Sequence, residues 1–202
     1  MKQKGNIIYE NNDEQGLWNQ FLLGNKDAFA FIYNRYADSL AAYGYRISGD
    51  LSIVKDAIQD LFIELWRSKN NLGSVHSVKA YLFKSLRYKL MRYGKLSLLY
   101  TSDDKLGDMH SDDLSVETKI SNREEEVELA KKIRAALKRL SKRQHEAITL
   151  KYYHGFTNEQ IAEIMSVNSQ SAANTLHRAL LFLRNHFSLP LMLLFSSLSS
   201  IS

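Results

Sequence analysis

Apolar residues recur every three or four positions along most of this chain, so its regular elements read as amphipathic helices. Between Asp27 and Ile47 the stripe is Phe29, Ile32, Tyr33, Tyr36, Leu40, Tyr43 and Ile47, with Asn25 or Asp27 placed to cap it and Gly49–Asp50 to end it. An upstream helix carrying Leu17, Trp18, Phe21 and Leu22 is expected to pack on it. Over 53–67 the stripe is Ile53, Val54, Ala57, Ile58, Leu61, Phe62, Leu65 and Trp66, opposed by Asp56, Gln59, Asp60, Ile63 and Arg67. Ile63 therefore stands among acids. The pattern fits either a stray exposed isoleucine or a docking face with a greasy centre and a polar rim.

A polar, glycine-containing loop, SKNNLGSVHS over 68–77, precedes a helix from about Lys79 to Lys95 that closes a first module. Leu82, Leu86, Leu90 and Tyr93 fall on one stripe of that helix, and Lys84, Arg87, Tyr88, Met91, Arg92 and Lys95 fall opposite. Its six basic residues (Lys79, Lys84, Arg87, Lys89, Arg92 and Lys95) meet no acid within the helix. Cations contact phosphates and an interleaved flat ring stacks on an unpaired base, which favours nucleic acid over a merely solvated lysine-rich face.

From 97 to 122 no period is sustained, and glycine, serine and acids dominate, as in a flexible linker. The next helix, 122–140, is acidic in its first turn and basic in its last, which suits the helix dipole. Ser141 with Gln144, and Thr157 with Gln160, read as capping boxes, with Gly155 as a stop between them. Residues 157–178 have the layout of a helix-turn-helix. Its short helix, Glu159 to Met165, turns Ile161, Ala162 and Met165 inward, and a tight turn follows at Ser166 to Asn168. The second helix, capped by Asn168, faces Ala172, Leu176 and Ala179 back and offers Ser169, Gln170, Ser171, Asn174, His177 and Arg178 to the major groove.

Charge sharpens this division. Residues 101–128 hold ten acids against three basic residues, a local −7 within a total of +5, so the rest of the chain carries +12. Two basic modules joined by an acidic middle suggest two polyanion-binding units and a linker that avoids the polyanion. At 45% hydrophobic residues over 202 positions, the chain has enough apolar surface for two small cores. A single proline and the helical period predict an all-α fold of two small domains.

Without cysteine there is neither a disulfide framework nor thiolate chemistry, which suits a reducing cytosol. The N-terminus lacks the apolar core of a secretory signal, and no run is long enough to span a membrane, including the apolar tail after Ser188. The six histidines do not cluster at metal-ligand spacing, and no phosphate loop, paired catalytic carboxylates or nucleophile constellation is present. The chain therefore reads as a non-enzyme with no catalytic residues, metal, cofactor or small-molecule substrate.

In order and spacing these segments resemble the extracytoplasmic-function (ECF) sigma factors of the sigma-70 superfamily. GNKDAFAFIYNRYADSLAAYGYRI resembles the first core helix of region two, DAIQDLFIELW its second, and KAYLFKSLRYKLMRYGK the helix that holds the minus-ten promoter element. LKRLSKRQHEAITLKYYHGFTNEQIAEIM with LHRAL resembles region four. The resemblance implies a region-two domain over 10–96, an acidic linker over 97–122 near the RNA exit path, a region-four domain over 123–187 and an apolar tail over 188–202. It implies that Asp56, Gln59, Asp60 and Ile63 meet the clamp of core RNA polymerase, and that Asn70, Asn71 and His76 capture a flipped minus-ten base. Lys79, Lys84, Arg87, Tyr88, Met91, Arg92 and Lys95 would hold the minus-ten strand, and the helix-turn-helix would read the minus-thirty-five duplex.

The chain departs from the family pattern at Tyr88 and Arg92, where Asn and Asp are usual. It departs again at Ala173 and Thr175, often basic, and at Ser166, usually glycine. The YLF and LRYKL wording most resembles the group common in Bacteroidetes, often serving polysaccharide or iron uptake. The partners implied are core polymerase, promoter DNA and a membrane-anchored anti-sigma factor, in the cytoplasm. The rival reading, a helix-turn-helix regulator acting without polymerase, leaves the Asp56 to Ile63 face without a role.

Overall fold

A computed structural model describes residues 13–93 and 135–186, and every regular element among them is helical. The first module is α1 (Glu14–Leu22), α2 (Lys26–Ser48), α3 (Leu51–Ser68), a 3₁₀ turn (Lys69–Asn71) and α4 (Val78–Arg92). The second is α5 (Lys142–Ile148), a π-helical turn (Thr149–Tyr153), α6 (Asn158–Met165) and α7 (Ser169–His186), preceded by helical residues 135–137. The acidic linker, most of the 122–140 helix, Lys95 and the apolar tail lie outside the described residues. No helix among the described residues is long and apolar enough to cross a membrane.

Local chemistry sets the helix ends. Asn25 caps α2 by accepting from the amides of Asp27 and Ala28, and Gly49 ends it in a left-handed conformation at φ 70°. Asp50 caps α3 and Ser77 caps α4 in the same way. Both expected capping boxes form, at Ser141–Gln144 and Thr157–Gln160.

In the first module α2, α3 and α4 pack on one another and α1 lies across α2 and α4. Ile32, Tyr36, Leu40, Tyr43 and Ile47 of α2 are buried with Val54, Ala57, Ile58, Leu61, Phe62 and Leu65 of α3 and Leu82, Leu86 and Leu90 of α4. At Gly44 the helices come so close that an added Cβ would lie 2.6 Å from Val54 Cγ1, so only glycine permits this crossing. An aromatic chain runs from Trp18 through Phe21 (5.0 Å) and Phe29 (5.8 Å) to Trp66 (5.0 Å).

Two aromatics assigned to core stripes lie at the surface instead. Tyr33 is 44% exposed because it sits at the edge of the α2 stripe, its ring edge-on to Phe62 at 4.9 Å. Tyr93 follows the last turn of α4, where helical projection no longer applies, and its hydroxyl donates to Asp60.

Candidate nucleic-acid and partner interfaces

The outward face of α3 carries Asp56, Gln59 and Asp60 in solvent, with Ile63 39% exposed between them. Ile63 is not isolated. It forms one wall of an open groove of about 730 Å³ that also takes in Gln59, Phe62 and Trp66 of α3 and Phe29 and Tyr33 of α2. Sequence reasoning missed Tyr33 as a member of this surface, because its spacing placed it in the core.

The loop after α3 presents Asn70, Asn71 and His76 to solvent. Its shape is set from α1. The Gln15 side-chain amide donates to the carbonyls of Val75 (2.6 Å) and His76 (3.3 Å), and Trp18 Nε1 donates to that of Gly73 (3.0 Å). Glu14 accepts from the Tyr36 hydroxyl (2.5 Å) and from the Lys79 amide (3.2 Å), tying the start of α4 to the same helix. No periodicity signals such long-range tethers.

Along α4 the expected basic face is divided. Lys84, Tyr88 (64% exposed) and Arg92 lie at the surface, while Met91 is half-buried. Arg87, expected to be exposed, is only 6% so, because the second module packs over it. Arg87 Nε donates to Glu146 Oε1 at 2.8 Å, and the Tyr43 hydroxyl donates to the same oxygen at 2.7 Å. Lys89 is buried and paired with Glu64 at 2.6 Å. Lys79 is half-buried, its ammonium on the His154 carbonyl and over the Phe156 ring, and burial lowers its pKa.

In the second module Ile161, Ala162, Ile164 and Met165 of α6 face Ala172, Leu176 and Ala179 of α7 inside the helix-turn-helix. Asn168 Oδ1 accepts from the Ser171 amide at 2.7 Å. Ser169, Gln170, Ser171, Asn174, His177 and Arg178 are all exposed, and the Gln170 amide donates to Asn174 Oδ1 at 3.1 Å. Ser166 makes the turn at φ 55°, a left-handed conformation costing a non-glycine residue about 1–2 kcal/mol. Ser166→Gly should raise the stability of this module by about 0.5 kcal/mol, the relieved strain being partly offset by glycine's chain entropy, as read from urea melts.

The two modules meet along one seam, α4 against α6 and α2 against α5. Besides the Tyr43–Glu146–Arg87 cluster it contains a Lys84–Glu163 ion pair (3.2 Å) and edge-on Phe83 and Phe156 rings (4.9 Å). His154 stands edge-on to Tyr43 (5.9 Å) and Phe83 (4.8 Å), its Nε2 buried without a hydrogen-bond partner. Burial, with Lys79 and Arg46 nearby, pushes His154 down to about 4, and burial next to Arg46 does the same to His145.

Both imidazoles are therefore neutral in the folded chain, whereas an unfolded chain would take up protons at each near pH 6.5. Their folded values are depressed, so the associated stability is intact above about pH 6.5 and lost as pH falls toward 4, with a slope of up to about 2.7 kcal/mol per pH unit. His154→Phe keeps the ring contacts and should remove about half of that slope in urea melts between about pH 7 and about pH 5.

An acidic-apolar face, a basic-aromatic helix and a polar helix-turn-helix, all on helices among the described residues, are the layout of a helix-turn-helix protein with a second, chemically distinct face. The comparisons with known proteins narrow this class. Residues 32–94 match the family model of sigma-70 region 2, and residues 130–183 match that of sigma-70, region 4. The two matches together span more than half of the chain. The ECF RNA polymerase sigma factor SigL of Mycobacterium tuberculosis is 25% identical over 160 residues, covering 76% of this chain and 85% of that protein.

Among solved structures, CnrH in complex with the cytosolic domain of CnrY matches with a TM-score of 0.59 at 20% identity, over 85% of this chain and 95% of that one. RpoE of Bartonella quintana, solved with the anti-sigma factor NepR, matches with a TM-score of 0.56 at 22% identity, over 78% and 95% of the two chains. These likenesses establish a shared fold. The chain belongs to the sigma-70 family and is a sigma factor of the ECF type, a non-enzymatic transcription initiation factor whose partners are core RNA polymerase and promoter DNA.

Proposed function

We propose that this sigma factor divides its work among its surfaces as follows. Asp56, Gln59, Asp60 and Ile63 dock on the polymerase clamp, and Tyr33 extends that surface along the neighbouring groove. Asn70, Asn71 and His76 take the flipped minus-ten base, and Lys79, Lys84, Arg87, Tyr88, Met91, Arg92 and Lys95 hold the melted strand. Ser169, Gln170, Ser171, Asn174, His177 and Arg178 read the minus-thirty-five duplex. The domain limits 10–96 and 123–187, the linker 97–122 and the tail 188–202 belong to the same reading.

The observation that carries it is the chemical separation of the faces. Asp56, Gln59, Asp60 and Ile63 of α3 are exposed, Asp60 also accepting from the Tyr93 hydroxyl at the end of α4, while Lys84, Tyr88 and Arg92 form a separate exposed face of α4, so one chain can hold a protein and a polyanion at once. The test is in vitro transcription with core polymerase, this protein and fragmented genomic DNA. Discrete starts sharing paired upstream elements are expected. A footprint by the protein alone, without starts, would instead establish a conventional helix-turn-helix regulator.

Lys84 is an exposed cation of α4, paired in this structure with Glu163. Lys84→Ala should weaken promoter complexes and flatten their salt dependence by about one unit of slope.

Control by a membrane-anchored anti-sigma factor, in the cytoplasm, is part of this proposal. It is supported by the likeness to chains solved with a cytosolic domain and with an anti-sigma factor. A regulon for polysaccharide or iron uptake rests on the YLF and LRYKL wording alone. Pull-down from cells should recover polymerase and one membrane protein; polymerase without any such regulator would remove this step.

A further inference from the structure

We propose that α1 is a specificity element of the minus-ten site, with Gln15 and Trp18 as positioning residues that hold the 72–77 loop in the shape that accepts one base and refuses the others. The inference rests on the reading of Asn70, Asn71 and His76 as the contacts of the flipped base, and names what fixes their geometry. α1 lies ahead of residues 32–94, the span that matches the sigma-70 region 2 model, so that match assigns it no role.

The three contacts stand on either side of a stretch that has little of its own to hold it. Asn70 and Asn71 end the 3₁₀ turn, and His76 comes just before Ser77, the cap of α4. Between them the chain is neither helix nor strand. Gly73 and Ser74 are exposed, and a Cβ added at Gly73 would meet nothing within 4 Å, so packing does not fix the path there. Leu72 and Val75 are half-buried against the core and anchor single points.

What joins these points is α1. Its Gln15 amide donates to two successive carbonyls, Val75 at 2.6 Å and His76 at 3.3 Å, and Trp18 Nε1 donates to Gly73 at 3.0 Å. Glu14 accepts from the Lys79 amide at 3.2 Å, in the first turn of α4, and α1 also packs on the 3₁₀ turn. One helix therefore touches the loop at its start, its middle and its end. The Trp18 indole is fully buried, so the tether springs from the core and not from a second mobile group.

These bonds do more for shape than for folding. Gln15 is exposed, and a hydrogen bond at an exposed site exchanges with water at little net gain. Its worth lies in the choice among loop conformations. An untethered stretch would sample many placements of Asn71 and His76, and ordering it on binding would cost affinity. Selectivity would fall as well. A fixed polar group rejects a wrong base because a donor or acceptor is then left unpaired, whereas a loop free to shift finds a partner for the wrong base too.

The test uses holoenzyme, reconstituted from core polymerase and the full chain, on a promoter taken from the mapped starts. Each minus-ten nucleotide is replaced in turn by the other three bases and by an abasic site, and affinity is measured. In the wild type one position should be sensitive to base loss, and the preference for its native base over the others is the quantity to follow. Gln15→Ala should lower that preference about five-fold, the scale of one lost hydrogen bond. Affinities for the abasic promoter and for core polymerase should not change, whereas a merely structural role would lower all of them together. Gln15→Arg, which returns a fork of donors to the same carbonyls, should restore the preference, and Gln15→Glu, which has none when ionised, should not. Trp18→Phe should also lower it.

An unchanged preference in both Gln15→Ala and Trp18→Phe would overturn the positioning role, as would a preference that falls only in step with affinity for the abasic promoter and core polymerase. Asn70→Ala with Asn71→Ala and His76→Ala tells the two levels apart. If that variant loses the preference while Gln15→Ala and Trp18→Phe keep it, only the positioning falls. If it keeps the preference, or if no position is sensitive in the wild type, the base-capturing reading falls and the positioning with it.

Discussion

Asp60→Lys combined with Ile63→Glu should abolish binding to core polymerase while the helical fold persists. Ile63 is the apolar centre of an otherwise acidic face, beside a groove walled by Tyr33 and Trp66. Burying a glutamate at the centre of a docked surface, and reversing the charge of its neighbour, removes two anchoring positions worth about 2 kcal/mol each. Together they predict an affinity loss of roughly a thousand-fold. The structural consequence is slight. Both side chains are exposed, and the one described bond lost is that from the Tyr93 hydroxyl to Asp60, whose acceptor holds the Tyr93 pKa above its ordinary value. Fluorescence anisotropy with labelled protein checks the first expectation, and far-ultraviolet circular dichroism the second. Binding within a few-fold of wild type would remove the clamp from this face.

Trp18→Ala should be the most damaging single substitution for the stability of the first module, at about 3–5 kcal/mol. The indole is fully buried, packs on Phe21 (5.0 Å) and edge-on to Tyr81 (5.5 Å), and donates to the Gly73 carbonyl. Truncation leaves a large void where α1 crosses α4, and orphans a carbonyl in the loop. Trp18→Phe keeps most of the packing and loses only the hydrogen bond, so it should cost about 1–3 kcal/mol and concentrate its effect in the loop. Urea denaturation gives the two stabilities. Hydrogen exchange at Leu72–Val75 reports whether the loop loosens in the second variant.

What could be read from the chain was what neighbouring residues decide among themselves. The Asn25 cap, the Gly49 stop and the two capping boxes all follow from residues within four positions of the backbone they serve. The exposed row from Ser169 to Arg178 also stands as its spacing implied. What could not be read was decided from a distance. A helical projection sorts residues about one axis and says nothing of a second module arriving over the polar side. Arg87 thus looked solvated, although its acid lies 59 positions away, and Lys89 looked unpaired because its acid, Glu64, is on another helix. The role of α1 was hidden for the same reason, since Gln15 and Trp18 reach carbonyls 55 to 61 positions along the chain.

Those last bonds bear on how such a factor can diversify. Gln15 and Trp18 hold the loop by the carbonyl oxygens of Gly73, Val75 and His76, a group that every amino acid carries. The path of the loop is therefore independent of which side chains it displays. None of Asn70, Asn71 and His76 gives a side chain to the tether, so, on the proposed reading of this loop as the base-capturing segment, a descendant of this chain could acquire a different base preference by point substitution while inheriting the scaffold.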